Sequence, residues 1–306
     1  MSTIAKTALI IDIHCHLGDI LYPSGGGRIL SSQPMARPFD PDALRRLSLY
    51  GFSGLDGSLY ALPRVKWLMT RAERMRNFTG TLRNLSASLD RFGIDYAAAM
   101  PLAPNVTLSD LLPAAAQDRR VLPFGSINFT APDLAGQARR QLADGARGIK
   151  LHPILQRVDP AGPAVAEALS ALPAGTLVMV HTGVADYYPP AEQHLQAPRY
   201  GRIAGIAQMA RAFPSLRFIA AHGGLGEFRD VLALLAPLPN IYADTSFVSP
   251  AGIRALIAAF GPGRVLFASD WPWGFHKTAL GAVRNACSGR ELAMVLGENA
   301  RRLLEL

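Results

Sequence analysis

Cysteine is nearly absent. The 306 residues hold only Cys15 and Cys287, too few for a disulfide framework, and a reducing cytoplasm is the expected setting. Long apolar runs are also missing. The run from Ala8 to Ile13 is too short for a signal-peptide core and is interrupted by Asp12. No stretch approaches the roughly 20 apolar residues that span a bilayer. The triple glycine Gly25-Gly26-Gly27 lacks the Lys-Ser/Thr pair of a phosphate loop, and neither Gly-x-Gly-x-x-Gly nor Gly-x-Ser-x-Gly occurs. A net charge of +8 could point to nucleic acid, but the arginines are scattered, as in Arg45-Arg46, Arg139-Arg140 and Arg301-Arg302. Without interleaved aromatics they read as solvated helix faces with a mild pull on anions. Neither a nucleic acid nor a membrane is expected as a partner; a homo-oligomer stays open.

What is present is an alternation of strands and helices. Hydrophobic residues make up 49%, which excludes a disordered chain. Short β-type runs occur at Ala8–His14, Asp95–Met100, Val121–Ile127, Arg147–His152, Thr176–His181, Leu216–His222, Asn240–Asp244 and Arg264–Asp270. Several are continuously apolar, as parallel strands buried on both faces must be. Helical patterns lie between them at Thr81–Phe92, Ser109–Asp118, Pro132–Asp144, Pro163–Ala171, Arg202–Phe213, Glu227–Ala236 and Pro250–Phe260. Eight such repeats predict an α/β fold, a (β/α)8 TIM barrel forming one domain over residues 1–306. Residues 18–80 break the rhythm, with a further helix near Pro41–Leu49. They follow the C-terminal end of a strand and are expected to form an inserted lid or substrate loop, or else a decorative or oligomer-contact insertion.

Chemistry gathers at the strand ends. His14, His152, His181, His222 and Asp270 each close a predicted strand, and in this fold those ends share one mouth. His14 and His16 are two apart, so they share a strand face and can chelate one ion; Cys15 between them points the other way, into the core. Lys150 shares a face with His152. His152 is expected to line the mouth or to be a satisfied structural histidine. His194 and His276 are expected in loops, exposed or near the substrate. Trp271 and Trp273 either wall the site or pack beneath it. Arg28, Arg37 and Arg199 near the presumed mouth suggest an anionic small-molecule substrate.

The segments Ile11-Asp12-Ile13-His14-Cys15-His16, Gly148-Ile149-Lys150-Leu151-His152-Pro153, Val180-His181-Thr182-Gly183, Ala221-His222-Gly223-Gly224, Tyr242-Ala243-Asp244-Thr245-Ser246, Phe267-Ala268-Ser269-Asp270-Trp271-Pro272 and Gly297-Glu298-Asn299-Ala300-Arg301-Arg302 run nearly the whole length of the chain. Together they resemble the amidohydrolase superfamily, in particular the amidohydrolase-2 group with its aminocarboxymuconate-semialdehyde decarboxylase-like enzymes. The resemblance implies one divalent ion, zinc first and manganese next, held by His14, His16, His181 and Asp270. Asp270 would also shuttle protons, and His222 would contact substrate or bound water. Lys150 would be a charged substrate contact, a structural lysine, or a carbamate bridging two ions as in binuclear members. Lys150, His152, Arg199 and Trp271 are the expected substrate contacts, with Asp270 and His222 catalytic.

Hydrolysis of an amide, lactone or ester is the first expectation. A metal-bound water would be deprotonated by Asp270, and His222 would steady the oxyanion. The same ligand set supports non-oxidative decarboxylation of a small aromatic or unsaturated acid. A scaffold that has lost activity is a third class, disfavoured because every ligand position is intact.

Overall fold

The structure, a computed structural model, describes residues 9–32 and 74–306. The expected helix at Pro41–Leu49, Arg37 and most of the 18–80 insertion lie outside the described residues. Parallel strands run in chain order: β1 (Ile11–Cys15), β2 (Tyr96–Ala99), β3 (Val121–Pro123), β4 (Gly125–Ser126), β5 (Ile149–Leu151), β6 (Leu177–Val180), β7 (Arg217–Ala220), β8 (Ile241–Asp244) and β9 (Val265–Leu266). Nine segments fill eight strand positions because Val121–Ser126 is interrupted at Phe124. The backbone N–H of Phe124 bonds to Ala99 on one side, and that of Gly125 to Gly148 on the other. The ring closes between the last strand and the first: Ile13 N–H donates to Phe267 O (3.1 Å) and Asp270 N–H to His14 O (2.8 Å). The expected barrel is thus observed.

Its interior is a packed layer. Ile11, Ile13, Ala98, Met100, Phe124, Leu177, Met179, Ile219, Leu266 and Ala268 form one buried cluster inside the strands. A second, larger cluster lies between strands and helices and takes in Cys15, as the alternation predicted. The β1–β2 register slips by one residue between Asp12 and Cys15. Such a bulge re-aims nearby side chains, and it contains His14 and lies just before His16.

The helices follow from local chemistry. Leu82–Phe92 is capped by Thr81, which accepts from Asn84 N–H, and ends at Gly93 with φ 64°. Pro250–Phe260 starts with Pro after a Ser249 cap. The expected Glu227–Ala236 helix is present as Phe228–Asp230 continued by a π turn, Val231–Leu235. Arg264, at the start of β9, donates to the carbonyls of Ala236, Leu238, Phe260 and Ile241. One guanidinium therefore satisfies four backbone carbonyls where the β8 and β9 units meet. His276 departs from expectation. It opens a helix, His276–Ala286, and is 1% exposed, because its ring finds two polar partners in the barrel wall.

Candidate metal centre

Two imidazoles and a carboxylate meet at the mouth. His14 Nε2 lies 3.2 Å from His16 Nε2, and Asp270 Oδ1 lies 3.4 Å from each. Ligands about 2.0–2.1 Å from a tetrahedral zinc ion stand about 3.3 Å apart, so the triangle fits one ion. The tautomers agree. His14 Nδ1 faces Asp244 Oδ2 at 2.8 Å, and His16 Nδ1 faces the Met100 carbonyl at 2.8 Å. Each Nδ1 has only an acceptor before it and must carry the proton. Both Nε2 lone pairs then point at each other across 3.2 Å, an arrangement a cation between them resolves.

Burial supports this. His14, His16, His152, His181 and His222 are all buried, and desolvation, the first cause in each case, holds each pKa well below the usual histidine range. They are neutral at pH 7, the form that binds metal. Lys150 Nζ sits 2.9 Å from His14 Nε2. Burial lowers its pKa to about 8, against the opposing pull of Asp270 and Asp244. Asp244 is pushed up to about 6, again by burial first.

The local backbone is shaped for this. Asp270 and His222 have φ of 56° and 64°, a region costly for residues with a side chain and concentrated at functional sites. Gly183 has φ 94°, and a Cβ there would fall 2.3 Å from Gly224 O. That close approach packs the loop after His181 onto the loop after His222. Thr182 Oγ1 seals it by donating to Ala221 O and accepting from Gly224 N–H.

The expected residues fall into two sets. His14, His16, Asp270, Lys150 and His222 come together; His222 Nδ1 is 3.8 Å from Asp270 Oδ2. His181 is adjacent but turned. Its Nε2 meets the Gly183 carbonyl at 3.1 Å, and its ring stacks on His152 at 4.0 Å. Among the described residues the compact donor groups are His14–His16–Asp270 and His14–His222–Asp244, so three of the four expected ligands stand together and His181 stands outside both groups. His152 caps the short helix Pro153–Gln156, its Nδ1 accepting from Leu155 N–H. Arg199 is exposed, with its guanidinium over the Tyr200 ring at 4.5 Å. Trp271 lies parallel over His276 at 6.5 Å, and it is Trp273 that meets His16, at 5.0 Å. Arg28 stacks over Phe78.

Two acids escaped the sequence reading. Asp244 closes β8 and obeys the same strand-end rule as the other site residues, so that signal was available. Asp12 lies two residues before His14 on β1. The aromatic rim of Tyr187, Phe247 and Trp273 comes from loops, where periodicity carries no information.

His222 also differs from expectation. Ser246 Oγ has one proton and gives it to Asp244 Oδ1 at 2.6 Å. His222 Nδ1, 2.9 Å from Ser246 Oγ, must therefore donate to it. The neutral ring then presents a lone pair at Nε2, so it accepts a proton and does not donate to an oxyanion.

The strand ends of a closed parallel barrel thus set imidazoles and a carboxylate around one point, a group suited to holding a metal ion. The chain belongs to the amidohydrolase family, whose model matches residues 11–306, and it is an enzyme of the amidohydrolase superfamily, a decarboxylase or a hydrolase. No curated protein matches the sequence. Solved structures are similar in fold. The 5-carboxyvanillate decarboxylase of Novosphingobium aromaticivorans, with bound manganese and a nitrobenzoic acid, is 16% identical with a TM-score of 0.62, covering 98% of each chain. The 2,6-dihydroxybenzoate decarboxylase of Rhizobium is 14% identical with a TM-score of 0.64, over 98% of this chain and 99% of that one. A probable 2-pyrone-4,6-dicarboxylic acid hydrolase of Acinetobacter baumannii is 13% identical with a TM-score of 0.55, over 97% and 99%. No helix among the described residues is long and apolar enough to cross a membrane.

Proposed function

We propose that the protein is a metal-dependent non-oxidative decarboxylase of a small hydroxylated aromatic or unsaturated carboxylic acid. Lys150 carries this reading. Its buried ammonium stands 2.9 Å from His14 Nε2, beside the point where the ion would sit. In hydrolysis the reacting group there is a neutral carbonyl. A buried cation at that place calls for a reacting group that is itself an anion, and a carboxylate meets the need. Two of the three structures compared above are decarboxylases of hydroxylated aromatic acids, which supports the same choice. Hydrolysis, the first expectation from the sequence, stands as the second reading, favoured by the similarity to the pyrone dicarboxylic acid hydrolase.

His14, His16 and Asp270 would hold one divalent ion. Nitrogen donors suit zinc, and the similarity to a manganese-bound decarboxylase supports manganese. When bound, the ion would supply Lewis acidity to an oxygen of the substrate. Lys150 would pair with the carboxylate and orient it. Tyr187, Phe247 and Trp273 would take the planar body of the substrate and exclude water, which strengthens these contacts. His222 Nε2 would accept the proton of a hydroxyl next to the carboxylate. The bond to the carboxyl carbon then breaks, leaving its electron pair on the substrate carbon. Protonated Asp270 gives that carbon a proton, carbon dioxide leaves, His222 returns its proton to the product oxygen, and solvent returns a proton to Asp270.

The test is a panel of hydroxybenzoates and lactone or ester analogues, offered to protein loaded with manganese or zinc. Carbon dioxide release is expected, with one deuterium at the vacated carbon in D2O, and both lost on chelation or in Asp270→Asn. Lactone or ester opening without carbon dioxide release would move the assignment to hydrolysis.

A further inference from the structure

Asp12 is a fully buried carboxylate that the mechanism does not use. Oδ1 accepts from His14 N–H (3.0 Å) and Ser269 N–H (3.0 Å). Oδ2 accepts from the Ser269 hydroxyl (2.5 Å) and lies 3.0 Å from His276 Nε2. The two backbone donors are informative. One belongs to the metal ligand His14, and the other precedes the metal ligand Asp270. Asp12 therefore staples together the two strand ends, from opposite termini of the chain, that close the barrel and form the donor triangle. Ser269 extends the staple, because its Oγ also accepts from Trp271 N–H at 3.1 Å. That bond fixes the turn in which Asp270 takes its φ of 56°.

His276 completes the set from outside the strands. Its Nε2 points at Asp12, and its Nδ1 is 2.7 Å from Ser88 Oγ, on the helix Leu82–Phe92. The serine hydroxyl donates to Nδ1, so Nε2 carries the proton given to Asp12. Trp271 lies parallel to the ring at 6.5 Å, and Phe92 meets it at 6.3 Å. Among the described residues the imidazole meets Ser88, Asp12, Trp271 and Phe92. A buried carboxylate costs several kcal/mol unless its lone pairs are met. With the three donors of its own seam alone, Asp12 would lack its fourth.

We infer that His276 is a positioning residue for the metal centre: held by Ser88, it fixes Asp12, which sets the spacing of His14 and Asp270. The inference rests on the metal-centre assignment and not on which reaction follows.

The experiment measures Mn2+ and Zn2+ dissociation constants of the metal-stripped full chain by chelator competition, together with its melting temperature. His276→Phe keeps the ring and removes both polar contacts. His276→Asn can reach Ser88 but not Asp12, and His276→Gln can reach Asp12. Phe and Asn are expected to weaken metal binding about 10–100-fold, the usual cost of losing an outer-shell partner, and Gln to restore it. Leu280→Ala, a buried apolar position on the same helix, is expected to lower the melting temperature and leave the metal constants alone. Should His276→Phe not fold, His276→Asn and the milder Ser88→Ala decide the matter, both weakening binding. Wild-type affinity in the Phe or Asn variant, or in Asn and Ser88→Ala where Phe does not fold, would overturn the inference. So would an equal loss in Leu280→Ala, which would make His276 merely structural. A wild-type chain that binds neither ion would remove the centre, and this inference with it.

Discussion

Replacing Asp244 by Asn separates the metal centre from the stability of the barrel. Asp244 Oδ1 accepts from His222 N–H (2.9 Å), Ser246 N–H (3.0 Å) and Ser246 Oγ–H (2.6 Å), and Oδ2 accepts from His14 Nδ1–H (2.8 Å). An Asn at this place keeps its oxygen toward the three-donor side and turns its amide toward His14. The ring must then accept at Nδ1 and carry its proton on Nε2, the atom aimed at the ion. Loss of one charge-assisted hydrogen bond is worth about 1.5–3 kcal/mol, or roughly 10–100-fold in affinity. The apo fold responds differently. The folded-state pKa of Asp244 is raised to about 6 by burial, above the ordinary 3.8. Its contribution to stability is therefore fully present below about pH 4 and lost as pH rises through 6. At pH 7 the wild-type apo protein bears a cost of up to about 3 kcal/mol from this group, and Asn relieves it. The expected result is weaker Mn2+ and Zn2+ binding by chelator competition, with an apo melting temperature at pH 7 that does not fall. Wild-type metal affinity in Asp244→Asn, alongside lost binding in His14→Ala, would refute the tautomer argument.

Two further outcomes follow from other contacts. Lys150→Met removes a cation 2.9 Å from His14 Nε2; metal content should hold while the KM of the carboxylate substrate rises about 10–100-fold, and added bicarbonate should change neither. A bicarbonate-dependent second ion in the wild type that Lys150→Met abolishes would establish a carbamate-bridged pair instead. Asp118 is held down to about pKa 2, first by its hydrogen bonds from Arg120, so its stabilisation is full above about pH 4 and is lost as pH falls through 2. Asp118→Asn should cost about 1 kcal/mol at pH 7, discounted for the partial exposure of Arg120, and nothing near pH 1; a urea midpoint unchanged at pH 7 would contradict it.

Strand-end position was legible in the sequence where backbone periodicity and side-chain direction are one property. His14, His16 and Asp270 meet because parallel strands put their C-terminal ends on one rim, and that rule needs no knowledge of the loops. It also reached Lys150, two residues before a strand end. It stopped at properties set by partners. Whether His181 aims its Nε2 inward depends on the Gly183 carbonyl, and the role of His222 depends on the single proton of Ser246. Neither is encoded in spacing. His276 was read as a loop residue because it follows Trp-Pro-Trp-Gly, a stretch of turn formers. The reason for its burial, Asp12, lies 264 positions away. Trp271 and Trp273 share a parity, yet one stacks on His276 and the other meets His16 edge-on, because the chain turns sharply between them. Gly274 follows that turn directly, and a Cβ there would strike the Ser269 carbonyl at 1.8 Å.

The same distances bear on how the centre comes into being. His14 and Asp270 are brought together only where β1 meets the end of the last strand, through the hydrogen bonds that close the ring. An unfolded or half-folded chain therefore holds no preformed triangle. Its His14–His16 pair alone offers two donors where a stable site needs three or four. On the proposed ligand set, metal affinity would belong to the closed barrel, and any ion that binds the closed form alone would stabilise that closure by mass action. Asp12 acts on the same joint from within the chain. Its carboxylate draws amide and hydroxyl donors from both sides of the seam before any ion is present. The ligand geometry is then set by the fold, and the ion has less ordering to impose when it binds.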